Sequence, residues 1–196
     1  MSSSLKVDTL KNSQGDDLLV NGYPRQPGQI IEYLASPCDG SLVKVLSGEY
    51  TFQQVTGIQV LSVAYSDVLG SVMAYVPPAG TRQVIYKYVS TMRWEHDHAI
   101  SHWKFFIDSD EVVQARVSRS GRYPEDRMEF EWVINIGGTA NPNTGRQASW
   151  TVPKILKLQS RWYSDVNARN LHATVYWDGA SSAQLSIPLL TILAIA

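Results

Sequence analysis

The chain has 196 residues, which is enough for one domain with a substantial hydrophobic core. Its 17 Lys and Arg against 18 Asp and Glu give a net charge of −1, so no global attraction to nucleic acid or to an anionic membrane surface is expected. Only 18% of the residues are charged and 44% are hydrophobic, a balance that favours a sheet protein or one that hides surface in an oligomer. The single cysteine, Cys38, excludes an internal disulfide and is interpreted as a small buried hydrophobe, or a bystander beside the Asp39-Gly40 turn, rather than a nucleophile.

Residues 1–28 contain too little apolar material to build a core of their own. Their two short apolar patches, 5–10 and 18–20, are separated by polar residues and glycine, while ordering each residue costs about 1–2 kcal/mol of backbone entropy. We therefore predict an extended arm over residues 1–28 and a compact domain over residues 29–196. The side chains expected to attach the arm to another protein are Leu5, Val7, Leu10, Leu18, Leu19 and Val20.

From residue 29 onward, short apolar stretches alternate with turn residues and predict a chain of strands. The predicted strands are 29–34, 41–46, 49–53, 59–65, 71–76, 84–96, 102–108, 111–118, 128–136, 146–152, 154–163, 171–177 and 184–196. The clearest is 84–96, where large residues such as Tyr86, Tyr88 and Met92 recur at every second position. No stretch predicts a helix, so the pattern indicates an all-β fold, an antiparallel sandwich or barrel.

The last predicted strand, 184–196, is apolar on both faces near its end. Such a strand is buried on both faces, either beneath loops of its own chain or at a subunit interface. The interface is favoured because the apolar content exceeds what one core needs. The residues expected in it are Leu189, Leu190, Ile192, Leu193 and Ile195. The run contains Pro188 and is shorter than the roughly 20 residues that span a bilayer, so no membrane insertion is predicted.

Three of the four histidines, His96, His98 and His102, fall within seven residues, beside Glu95 and Asp97. Imidazoles and carboxylates are metal ligands, but a structural site needs four placed ligands and only a histidine spacing is visible. A polar hairpin end is therefore the favoured interpretation. No metal and no other cofactor is predicted.

Two further clusters are candidate binding sites. Four arginines, Arg116, Arg119, Arg122 and Arg127, lie among acidic residues, which favours a solvated, salt-bridged loop over a site for sulfate, phosphate or an acidic glycan. Aromatic residues near loops are better candidates for contact with a sugar. Those candidates are Tyr123, Trp162, Tyr163 and Trp177.

The sequence carries no legible catalytic motif. Asp108, Asp110 and Glu111 are crowded at one turn, where solvated charge is the ordinary explanation, and no glycine-rich phosphate loop, nucleophile elbow or HExxH motif occurs. The expectation is therefore a protein that is not an enzyme.

Several stretches of the chain carry a family resemblance. The opening LKVDTLKNSQGDDLLVNGYPRQPGQIIE, followed by HAISHWKFFIDSDEV, EFEWVINIGGTANPNTGRQASW and LHATVYWDG…LTILAIA, resembles small tail-fibre and virion-appendage proteins of tailed bacteriophages, of the marine and cyanophage type. The resemblance implies a virion location, an arm fixed to the particle and a jelly-roll-like β-sandwich knob. It also implies a homotrimer with the C-terminal strand near the threefold axis.

Two function classes follow from these expectations. The first is a structural appendage that docks to other virion proteins by its arm and displays a trimeric knob for host attachment, on the tail or as a capsid decoration protein. The alternative is a lectin-like receptor-recognition domain that binds a host surface glycan. Neither class requires nucleic acid as a partner.

Overall fold

A computed structural model of the protein describes residues 19–20, 23–24, 26–94, 99–121, 125–163, 169–176, 178–179 and 182–196. Within these residues the chain is almost entirely β-structure, and all pairings between its strands are antiparallel. In chain order the strands are β1 (Leu19–Val20), β2 (Tyr23–Pro24), β3 (Ile30–Pro37), β4 (Leu42–Val45), β5 (Gly48–Thr51), β6 (Gln59–Leu61), β7 (Ser66–Asp67), β8 (Met73–Tyr75), β9 (Gln83–Trp94), β10 (Ala99–Ile107), β11 (Asp110–Glu111), β12 (Val117–Gly121), β13 (Glu125–Asn135), β14 (Lys154–Trp162), β15 (Arg169–Leu171), β16 (Ala173–Thr174), β17 (Gln184–Leu185) and β18 (Leu189–Ile195). Two short 3₁₀ helices, Val113–Ala115 and Pro142–Thr144, are the helical elements of this part of the chain.

Two large sheets form the body of the protein. The first is built on the long pair β10–β14; β11 and β12 continue it beyond β10, and β7 and β8 continue it beyond β14. The second is built on β9, with β13 along one edge and β18 and β15 in succession along the other. Beyond these, β3 pairs with β18 and β6 pairs with β15.

The core lies between the inner faces of the two sheets. Tyr86 of β9 is 4.9 Å, centroid to centroid, from Phe105 of β10, which in turn lies 5.5 Å from Phe130 of β13. All three rings are buried. Because each aromatic side chain buries a large apolar area, these contacts hold the two sheets face to face as a sandwich.

The predicted fold class is confirmed: the protein is an all-β antiparallel sandwich. The alternation in β9 is as expected, since Val84, Tyr86, Tyr88 and Met92 are all fully buried. Cys38 is buried as well, and its thiol donates a hydrogen bond to the Gly70 carbonyl at 3.1 Å. Burial raises the pKa of this thiol to about 12, so it remains protonated at neutral pH. The jelly-roll strand order stays a prediction.

Several of the predicted strands were wrong in detail; of residues 59–65, for example, only Gln59–Leu61 form a strand. Residues 146–152 form only isolated bridges, because the Trp150 side chain turns into the core and its indole nitrogen donates to the Tyr75 carbonyl at 3.1 Å. Residues 111–118 are broken by the first 3₁₀ helix. Residues 171–177 kink at His172, whose φ is +62°, and residues 184–196 are interrupted before Leu189.

The predicted arm contains one feature that the sequence interpretation did not include. Leu19–Val20 and Tyr23–Pro24 pair as a short antiparallel hairpin. The intervening dipeptide, Asn-Gly, is a strong sequence signal for a two-residue hairpin connection. At the end of the predicted arm the Gly28 amide donates to the Ala196 carbonyl at 2.9 Å, so residue 28 is tied to the C-terminus. Four of the residues predicted to attach the arm, Leu5, Val7, Leu10 and Leu18, lie outside the described residues.

Candidate functional site

The outer face of the second sheet carries a row of apolar side chains that crosses four strands. Leu193 of β18 pairs with Tyr33 of β3 on one side and with Ile85 of β9 on the other, and Ile85 pairs with Val133 of β13. These four residues form the apolar row. Tyr33 is 61% exposed and Val133 38% exposed, so the row is open to solvent. Cross-strand apolar neighbours of this kind form a continuous surface, which in soluble proteins often marks an interaction site.

Charged residues border the apolar row on the same face. Two residues along β9 from Ile85, the Lys87 ammonium contacts the carboxylate of Glu129 and lies 3.7 Å from that of Glu131. The contact with Glu129 raises the pKa of Lys87 and lowers the pKa of Glu129. Exposed pairs contribute little to stability, so their role here is to give the apolar row a polar edge.

The five residues predicted at an oligomer interface are divided by the sheet into two groups. Leu190 and Ile192 point into the chain's own core and are 1% and 0% exposed, so their side chains cannot contact a sister copy. Leu189, Leu193 and Ile195 point outward; Leu189 is 44% exposed and the other two are half-buried. The strand is apolar on both faces because its inner face fills the core while its outer face belongs to the surface that carries the apolar row.

The outer face of the first sheet is different: it carries a basic hollow. The hollow has a volume of about 480 Å³ and is lined by Val63, Ala64, Tyr65, Lys104, Arg116 and Arg161. Lys104 comes from β10 and Arg161 from β14, while Arg116 follows the first 3₁₀ helix and Tyr65 precedes β7. Strand pairing thus gathers cations that are far apart in sequence around one aromatic ring.

One carboxylate orders two of these cations. Glu111 accepts a hydrogen bond from Lys104 Nζ at 3.0 Å and another from Arg116 Nε at 2.5 Å. The Arg116 hydrogen bond is the main reason that the pKa of Glu111 lies below its usual range. Three cations against one carboxylate leave a surplus of two positive charges at the hollow.

The structure separates Arg116 from two other arginines of the predicted cluster, Arg119 and Arg127, which both lie near Glu129. Arg116 lies in the basic hollow, Arg119 of β12 donates to the Glu129 carbonyl at 3.0 Å, and Arg127 lies on the outer face of the second sheet. Arg122 lies outside the described residues. Lys104 and Arg161 were missed, because each sits singly in an alternating strand pattern and only the pairing of β10 with β14 brings them together.

Of the four predicted sugar contacts, the structure describes two, and one of these is exposed. Tyr163 is 62% exposed and lies 5.9 Å, ring to ring, from His102. The prediction that Trp162 lies at the surface was wrong. Trp162 is 4% exposed, because it occupies an inward position of β14. Tyr123 and Trp177 lie outside the described residues.

The candidate metal ligands are only partly described. His102 Nδ1 is hydrogen bonded to Ser118 Oγ at 2.8 Å, while His96 and His98 lie outside the described residues. In the described part of the chain no group of three or more His, Cys, Asp or Glu side chains is arranged to hold a metal ion. The same part of the chain has no helix long and apolar enough to cross a bilayer.

A buried Ser–His contact was missed by sequence reasoning. His172 Nδ1 lies 2.8 Å from Ser90 Oγ, and the two residues are 0% and 3% exposed. Burial lowers the pKa of His172 to about 4, so its ring is neutral at pH 7. Although a Ser–His pair can act as nucleophile and base, both residues of this pair are buried, which favours a structural role.

Comparison with known proteins gives no family. No protein-family model matches the chain, and no curated protein matches it. Two partial similarities are to chains in structures of infectious bursal disease virus: the Gx strain (8% identity, TM-score 0.27, covering 74% of this chain and 38% of that one) and the Gt strain (9% identity, TM-score 0.26, covering 80% and 43%). This chain therefore spans about two fifths of the viral chains. TM-scores of this size mean that the overall arrangements differ, so neither viral chain says what this protein does.

Proposed function

We propose that this protein is a structural subunit of a virion, an appendage of the tail-fibre or capsid-decoration kind. Its sandwich associates as a homotrimer, and residues 1–28 attach it to another virion protein. The observation that carries the proposal is the apolar row, an exposed hydrophobic surface on a chain with few charges.

The apolar row suits a second copy of the same chain better than an unrelated partner. Burial of the row would remove Tyr33 and Val133, the most exposed side chains in it, from water. Burial of apolar area contributes about 25 cal/mol per Å² to the free energy of association, so each interface formed in the trimer adds to its stability. Lys87 lies beside the row between Glu129 and Glu131, so the ammonium of one copy can meet a carboxylate of the next.

The oligomer is tested by measuring the mass of the full chain by light scattering at micromolar concentration. We expect a trimer for the native protein and a monomer for Tyr33→Glu, which places a charge in the apolar row. Leu42→Glu is the matched control, because Leu42 is equally exposed, at 62%, but belongs to the β4–β5 hairpin. A native protein that is monomeric, or a control that dissociates as fully as Tyr33→Glu, would overturn the interface.

The attachment arm is tested on particles. An antibody against the chain should label virions in electron microscopy, and full-length protein carrying Leu5→Ser and Leu10→Ser should no longer be incorporated. Unlabelled particles would contradict the virion location, while normal incorporation of the variant would contradict the role of the arm.

A second candidate function is recognition of a carbohydrate on a host surface. It is favoured by one specific observation, the surplus of positive charge at the basic hollow with the exposed Tyr163 on the same sheet face. The two functions are compatible, since an appendage can also bind the host.

A further inference from the structure

We propose that the basic hollow binds the sulfate or carboxylate group of an acidic polysaccharide, with the sugar chain extending across Tyr163. This inference gives the second candidate function a ligand class, and it does not depend on trimer formation. In the proposed site, the ligands for the anion are Lys104, Arg116 and Arg161. The Tyr65 ring positions these cations.

The two strand cations are held in place before any ligand arrives. Lys104 Nζ lies 4.5 Å from the centre of the Tyr65 ring, and the Arg161 guanidinium carbon lies 5.4 Å from it. Contacts of cations with an aromatic face are favourable and direct the charges toward a shared space. An anion that enters the hollow thus meets donors whose positions need little further ordering.

Arg161 has donor capacity left for a ligand. Its Nη1 makes two long contacts, 3.4 Å to the Val63 carbonyl and 3.5 Å to the Trp162 carbonyl, and no carboxylate in the described part of the chain pairs with it. A guanidinium presents a planar fork of N–H donors that matches two oxygens of a sulfate or carboxylate. Arg161 is therefore the residue on which we expect binding to depend most.

The positive surplus is local and does not extend along the sheet. Lys157 of β14 pairs with Asp67 at 3.0 Å, and Lys154 pairs with Asp108 at 3.1 Å. Both cations that precede Arg161 on this strand are thus neutralised. A nucleic-acid site needs cations that follow successive phosphates, whereas a single concentration of charge suits one anionic group on a sugar.

Tyr163 supplies a surface for the sugar itself. Tyr163 directly follows β14, and its ring lies 5.9 Å from that of His102, the residue paired with Arg161 across the sheet, so Arg161 and Tyr163 lie on the same side of the sheet. Tyr163 is 62% exposed, and an exposed aromatic ring packs against the apolar face of a pyranose. The hollow would hold the charge while the ring holds the neighbouring sugar.

The test is binding of the full-length protein to dextran sulfate, polygalacturonate and neutral dextran by titration calorimetry at physiological salt. We expect binding to at least one of the two charged polymers and none to dextran, and the stronger of the two identifies sulfate or carboxylate as the preferred group. Arg161→Gln should weaken the binding at least about tenfold, since charge-assisted hydrogen bonds are lost. Tyr163→Ala should weaken it about threefold, since less contact area is lost.

Arg127→Gln is the matched control, since it removes an arginine from the outer face of the other sheet and should leave binding unchanged. Absence of binding to both charged polymers would overturn the proposal, as would an equal loss in Arg161→Gln and Arg127→Gln. Binding of single-stranded DNA as tight as that of the better polysaccharide would overturn the assignment to a glycan. Tyr33→Glu, for which we expect a monomer, should still bind the charged polymer and should lose that binding when Arg161→Gln is added, so failure of the trimer and failure of this site are distinguishable.

Discussion

Glu32 and His172 are both ionisable side chains buried in the same sandwich, yet their surroundings differ. Glu32 is 4% exposed and accepts three hydrogen bonds: from the Ser47 amide at 2.6 Å, the Ser47 hydroxyl at 2.8 Å and the Tyr75 hydroxyl at 2.7 Å. His172 is fully buried, and its one side-chain partner is Ser90. Its Nε2 has no hydrogen-bond partner in the described part of the chain.

The difference shows that a buried polar group can either connect secondary-structure elements by hydrogen bonds or leave part of its hydrogen-bonding capacity unsatisfied. The donors to Glu32 come from the β4–β5 turn and from β8, while Glu32 itself lies in β3, so its hydrogen bonds fasten the small hairpin to the sandwich. The same surroundings, with burial as the largest cause, raise the pKa of Tyr75. His172 occupies a left-handed kink between β15 and β16 and leaves a polar atom unpaired. Glu32 with its three hydrogen bonds is therefore expected to stabilise the fold more than His172 does.

The largest effect is expected from Glu32→Ala. This variant removes the acceptor of the Ser47 amide, of the half-buried Ser47 hydroxyl and of the buried Tyr75 hydroxyl, which should lower the free energy of unfolding by roughly 4 kcal/mol. Urea unfolding followed by tryptophan fluorescence measures the loss. Glu49→Ala is the control, because Glu49 is an exposed carboxylate of the same hairpin, paired with Lys44, and should change stability by less than about 1 kcal/mol. Equal losses in the two variants would contradict the comparison.

His172 is expected to make stability depend on pH. Burial lowers its folded-state pKa to about 4 from 6.5, so the unfolded chain binds the extra proton first. This contribution to stability is present above about pH 6.5 and is lost as the pH falls toward about 4, by about 3 kcal/mol in all. About 2 kcal/mol of that loss should appear between about pH 7 and about pH 5.

Comparison of the native chain with His172→Asn isolates this contribution. Asparagine tolerates the left-handed backbone but does not titrate in this range, so its unfolding free energy should fall less steeply with acid. His102→Asn serves as the control, because His102 is only half-buried. If the unfolding free energies of the native protein and of His172→Asn fall equally steeply between about pH 7 and about pH 5, the buried imidazole is not the source of the pH dependence.

The sequence predicts which face of a strand is buried only where the alternation is unambiguous. In β9 large residues occupy every second position, and the structure buries that face. In the stretch QIIEYL both parities contain apolar residues, so nothing in the sequence indicates that Glu32 points inward while Tyr33 points outward. The deciding contacts come from Ser47 and Tyr75, which are distant in sequence.

The same limit applies to the surfaces. The apolar row and the basic hollow are defined by which strands are neighbours, and strand order does not follow from local alternation. Tyr65, Lys104 and Arg161 are separated by 39 and 57 residues and meet because β10 pairs with β14 and β14 pairs with β7. His172 likewise looks like one polar residue in an apolar stretch, since its positive φ is imposed by the packing around it.

The smallest effects are expected when one hydroxyl group is removed beside Glu32 and one beside His172. Tyr75→Phe removes one hydrogen bond to the Glu32 carboxylate, which should cost about 2 kcal/mol because hydrogen bonds to charged groups are the stronger class. Ser90→Ala removes the neutral partner of His172 and should cost about 1 kcal/mol at neutral pH, measured by the same urea unfolding. The order of the two losses is the informative quantity, because the two changes delete the same kind of group. A larger loss in Ser90→Ala would mean that the half-paired histidine, rather than the fully paired glutamate, contributes more to holding the sandwich together.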